Sequence, residues 1–82
     1  MSRGSIAKIV RSYGSEWGRI RPRDGAREVF FNLASMLDPD AFHTLRVGEY
    51  VDFDEENDRA NGTRAVRVAL SGLSGRSAAK TA

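Results

Sequence analysis

Apolar and polar residues alternate with a period of two along most of this chain, in runs of five to eight residues separated by turn-forming ones. Five such runs predict five strands, at residues 5–11, 17–23, 28–32, 50–55 and 63–70. In the second run, side chains switch faces at every residue, so Trp17, Arg19 and Arg21 share one face and Gly18 and Ile20 the other. In the third run, Val29 and Phe31 oppose Phe30 and Asn32, which puts one of two adjacent rings outside. The first run takes its β-branched character from Ile6, Ile9 and Val10, and the fourth buries Val51 and Phe53. In the fifth, Val66, Val68 and Leu70 are expected to face inward and Arg67 outward.

Turn chemistry separates the runs. Ser12-Tyr13-Gly14-Ser15 reads as a loop, Asp24-Gly25 is a hairpin signal because these residues tolerate positive φ, and residues 57–62, which include Asn61-Gly62, read as a turn. Residues 33–37 are too few for an independent helix and predict a single 3₁₀ or helical turn. Residues 38–49, with Pro39 near the start and Gly48 near the end, read as an open connection. The expected fold is therefore all-β: a five-stranded antiparallel barrel of OB type, with one short helical turn after the third strand. Residues 1–70 form its single domain, and 71–82, small and polar with one large apolar side chain, read as a flexible C-terminal tail.

Composition narrows the class. A chain of 82 residues supports one core, and with no cysteine it has neither a disulfide framework nor a zinc knuckle to support it. No apolar run approaches the ~20 residues of a membrane span, and residues 1–10 lack the long apolar centre of a secretory signal. A cytoplasmic location is the expectation.

The net charge of +2 conceals an asymmetric distribution. Residues 1–27 hold seven basic groups against Glu16 and Asp24, residues 28–58 hold Arg46 against nine acids, and residues 59–82 hold five basic groups and no acid. Eleven of the thirteen cations are arginine, which stacks on rings and forks onto phosphate better than lysine does. Stability alone does not call for Trp beside Arg on the open face of a strand. Single-stranded nucleic-acid binders use the pair, because bases stack on rings while guanidinium groups hold phosphate.

Several stretches resemble the bacterial cold-shock domain family. Gly4-Ser5-Ile6 with Lys8 is similar to that family's opening strand. Trp17-Gly18-Arg19-Ile20 resembles its first ribonucleoprotein motif, usually Phe-Gly-Phe-Ile, and Val29-Phe30-Phe31-Asn32-Leu33-Ala34 the second, usually Val-Phe-Val-His-Phe-Ser. Phe42-His43-Thr44-Leu45, Val47-Gly48-Glu49 with Val51-Asp52-Phe53, and Ala65-Val66-Arg67-Val68 extend the likeness to about residue 70. The departures thin the family's aromatic platform. Lys8 and Ile9 stand where Trp and Phe are usual, Arg19 replaces the second Phe of the first motif, and Asn32 and Leu33 replace His and Phe of the second. The loop over 10–16 is about two residues longer than the family's, and Tyr13 within it is a candidate replacement ring.

The candidate nucleic-acid-binding residues are Lys8, Trp17, Arg19, Phe30, Asn32, Phe42 and Arg59. Trp17 either stacks a base or caps the barrel core. Phe30 is the exposed ring of its pair in the family's parity. Arg19 can lie flat on a base, whereas Lys8 suits phosphate. Asn32 either reads a base edge or serves as a turn residue, Phe42 sits in the long connection as a lid or contact, and Arg59 either holds phosphate or is a solvated turn residue. The acidic run Asp52, Asp54, Glu55, Glu56 and Asp58 lacks the Gly and terminal Glu of a calcium loop and reads as a solvated face that repels nucleic acid. The lone His43 has no nucleophile or acid at motif spacing, so the expectation is a non-enzyme with no metal and no cofactor. The resemblance implies a binder of single-stranded RNA or DNA that keeps RNA unstructured or acts in transcription or translation under stress. The alternative is a barrel that has lost base stacking and grips a protein partner through its basic or acidic face.

Overall fold

The alternating segments fold as five strands in the computed structural model, which describes residues 2–25, 27–58 and 62–71. They are β1 (Ser2–Ser12), β2 (Ser15–Pro22), β3 (Val29–Asn32), β4 (Tyr50–Asp58) and β5 (Gly62–Leu70). They close into a barrel in the order β1-β2-β3-β5-β4, with β1 pairing β2 along its length and β4 through Ser2–Ser5. All pairings are antiparallel except β3 with β5, which is parallel. The purely antiparallel expectation is corrected on this point. Strand direction cannot alternate around a closed ring of five, so at least one neighbouring pair must run the same way.

β1 and β2 are both longer than their apolar runs and meet at a two-residue turn, Tyr13-Gly14, where Gly14 takes φ +79°. Within the 10–16 segment only Tyr13 and Gly14 lie outside the strands.

Two 3₁₀ turns follow β3, at Leu33–Ser35 and Pro39–Thr44, where one was expected. The second begins where the Asp38 carboxylate accepts the Asp40 N–H at 3.1 Å and Pro39 presets φ. It turns an apolar side, Phe42 with Leu45 just beyond, onto the end of the barrel. The core holds Phe31, Phe42 and Phe53 among Ile6, Ile20, Leu45, Val51 and Val68, all essentially without solvent contact. Ser71, assigned by sequence to the tail, is buried and its N–H donates to the Tyr50 carbonyl at 2.9 Å; the rest of that tail, 72–82, lies outside the described residues.

Two bulges reset the alternation. In β1, Ile6 opposes Ile20 and Lys8 opposes Arg19, so Ala7 is an extra residue. In β5, Val68 and Arg67 together span the position opposite Phe53, and Arg67 carries φ +52°. Ala65 and Val68 therefore face the core, and Val66, expected to point inward, does not join them.

Candidate nucleic-acid interface

The outer face of β1–β2–β3 is built by register. Trp17 lies opposite Asn32 and Val10, and Arg19 lies opposite Phe30 and Lys8. Gly18 and Ile20 are buried between them, and Phe31 and Val29 go inward with them. Gly18 admits the close approach of the layers beneath: a Cβ there would sit 2.5 Å from the Lys8 carbonyl oxygen and 2.8 Å from the Phe31 ring. The same face thus lies directly over the core that fixes it.

Trp17 and Phe30 are diagonal neighbours whose ring centroids lie 5.8 Å apart with 28° between planes. Phe30 is 39% exposed and Trp17 half-buried, so the rings form an outward shelf and are not packed inside the barrel. Lys8 Nζ lies 5.5 Å and Arg19 Cζ 5.4 Å from the indole centroid. Neither cation enters an ion pair among the described residues. The β1 bulge is what turns Lys8 out beside Arg19; strict alternation from buried Ile6 would have pointed it inward. Beside the shelf opens a recess of about 320 Å³ bounded by Ser15, Trp17, Phe30, Asn32 and Leu33. Tyr13 stands fully exposed at the tip of the β1–β2 hairpin.

Asn32 joins this face as the last residue of β3, and Ser35 holds it. The backbone N–H of Asn32 donates to Ser35 Oγ at 3.2 Å, and the Ser35 hydroxyl donates to Asn32 Oδ1 at 3.1 Å. Sequence reasoning passed over Ser35. Its signal was the spacing, a polar side chain three residues after a capping Asn.

Phe42 does not belong to the face. It is fully buried, edge-on to Phe31 at 6.0 Å and 63°, and the Arg11 guanidinium lies 5.7 Å from its ring centroid. Arg11 also donates to the carbonyl oxygens of Phe42, at 3.0 Å, and Leu45. The expected lid or contact ring is thus a core ring, because its segment folds as a 3₁₀ turn with an apolar side to bury. Arg11 is engaged in pinning that turn to β1. Arg59 lies outside the described residues.

The acidic run on β4 is laced to its neighbours. Arg3 on β1 donates to Asp52 at 2.7 Å, and on β5 Arg67 donates to Asp54 at 2.6 Å while Arg64 approaches Glu56 at 3.8 Å. The Arg67 hydrogen bond holds the Asp54 carboxyl below the usual aspartate range and raises the Arg67 guanidinium in turn. Arg21 is likewise engaged, with Glu28 at 3.1 Å. These pairs leave Lys8 and Arg19, beside the rings, as cations available to an anion. No protein-family model matches the chain, and no curated protein matches it in sequence.

Proposed function

We propose that this chain is a single-stranded nucleic-acid-binding protein of cold-shock type, built on an OB-type barrel and taking RNA or single-stranded DNA across the β1–β2–β3 face. The observation that carries the reading is the outward Trp17–Phe30 shelf with two cations over the indole that enter no ion pair among the described residues. The strand order and the position of the shelf on β2 and β3 agree with the surface OB barrels use for oligonucleotides. The resemblance in the two ribonucleoprotein-like motifs points the same way.

The mechanism is an exchange. In the free protein Lys8 and Arg19 lie against the indole, an exposed cation–π contact worth about 0.5–1 kcal/mol. A stacked base contributes about 1–3 kcal/mol, so it displaces a cation from the ring with net gain. The displaced ammonium or guanidinium then lies next to the phosphate of the same nucleotide and releases its condensed counterion. Stacking and phosphate neutralisation are thereby coupled at one residue, Trp17. With a shelf of two rings in place of the family's dense platform, a larger share of affinity comes from charge, and binding is correspondingly salt-sensitive. By the resemblance, the role served is keeping RNA unstructured, or transcriptional or translational control under stress, in the cytoplasm.

Trp17 is the chain's single tryptophan, so its emission reports the site directly. Titration with an oligo-pyrimidine at low and high salt is expected to quench Trp17, with weaker binding at high salt. No quenching at low salt would overturn the proposal.

A further inference from the structure

We infer that Asn32 reads the nucleobase as a fixed hydrogen-bond donor, selecting bases that carry a keto oxygen at pyrimidine C4 or purine C6 (uracil, thymine, guanine) over those that carry an amino group at that position (cytosine, adenine). The inference rests on the nucleic-acid reading above and names what that site prefers.

Asparagine offers both an acceptor oxygen and a donor amide, and as a bare residue type it is neutral between base edges. Ser35 removes that neutrality. The residue is only 8% exposed, and Oγ already accepts the Asn32 backbone N–H. Its own hydroxyl proton therefore needs an acceptor, as buried polar groups do, and finds Asn32 Oδ1 at 3.1 Å. With the oxygen turned to Ser35, Nδ2 faces away, and no protein group among the described residues accepts from it. What Asn32 itself presents to a ligand is a pair of N–H donors, and Glu16 lines the same recess.

The position suits the task. Asn32 is the cross-strand partner of Trp17, lies two residues from Phe30 on the same face of β3, and lines the recess beside both rings. A base stacked on the shelf turns an edge into that recess. A keto oxygen at C4 or C6 accepts from Nδ2, whereas an amino group at that position meets donor against donor at Asn32 and leaves its amide unsatisfied. The Asn32–Ser35 pair thus converts a shelf that accepts any π-face into one that sorts bases by one exocyclic atom.

The test compares oligouridine and oligocytidine of equal length on the full chain, following Trp17 emission, in the native protein and in Asn32→Asp and Ser35→Ala. Uracil and cytosine stack similarly and share the C2 keto oxygen, and they differ at C4 and at the adjacent N3, a donor in uracil and an acceptor in cytosine. The native protein is expected to favour oligouridine by about three- to tenfold, the range of one hydrogen bond. Asn32→Asp keeps the side-chain shape and the Ser35 bond but replaces the donor with an acceptor. Its added charge weakens both ligands, yet the ratio should invert toward oligocytidine. Ser35→Ala removes the hydroxyl that the amide oxygen accepts from, leaving the Ser35 backbone N–H of the capping box as its remaining anchor, and the ratio should fall toward one without inverting. If both oligomers bind the native protein equally, or the ratio is unmoved in Asn32→Asp, the inference is overturned and the nucleic-acid reading stands. If neither oligomer binds, the reading beneath it fails as well.

Discussion

Trp17 on β2 and Phe30 on β3 face each other diagonally across a strand pair, 5.8 Å between ring centroids, with the protein's core directly behind them. Their orientation follows from two buried neighbours, Gly18 and Phe31, which are themselves cross-strand partners. The shelf therefore cannot turn inward without turning the core out.

Replacing Trp17 with Ala removes the larger ring and the surface both cations rest on. Oligonucleotide affinity is expected to fall about tenfold or more, measured by anisotropy of a labelled strand since the fluorophore is gone. An unchanged affinity would favour the protein-interaction reading, in which the rings carry no bases.

The cations have a separable signature. Removing Lys8 and Arg19 together should reduce the slope of log K against log salt by about 1.4, at about 0.7 per phosphate contact on a single strand. A Phe30→Ala variant, by contrast, should weaken binding at every salt concentration and leave the slope in place.

Phe42 distinguishes core from contact. Its truncation to Ala leaves a cavity beneath Phe31 and costs about 3–5 kcal/mol of stability, seen as a lower urea midpoint. Affinity measured under conditions where the variant remains folded should be little changed. A ring that served the ligand would give the opposite pattern.

The Asp54–Arg67 pair sets an acid dependence. Because the folded carboxyl titrates below its unfolded value, near 3.9, the pair stabilises the barrel above that pH. The contribution fades as pH falls through the depressed folded value. The difference in urea midpoint between the native protein and Arg67→Ala should be constant at neutral and mildly acidic pH and shrink below about 4. Arg67 also sits at φ +52°, so Arg67→Gly should be more stable than Arg67→Ala by about 1 kcal/mol.

The alternation of apolar and polar residues determined by itself that the chain is built of strands, that Trp17 and Arg19 share a face opposite Gly18 and Ile20, and that one of Phe30 and Phe31 is outside; which of the two it is came from the family resemblance. Those are properties of the local backbone, in which side chains change sides at each step whatever the strand pairs with. Only the tertiary structure decided where that rule is broken. Ala7 bulges because β1 must register with β2, and that bulge alone brings Lys8 to the indole. A matching bulge at Arg67 exchanges Val66 for Ala65 at the core. Phe42 is buried, Asn32 has its amide oriented by Ser35, and β3 runs parallel to β5. Each of these depends on which surface a segment meets across the barrel, and that is set by closure of the whole ring, a quantity no local window of residues contains.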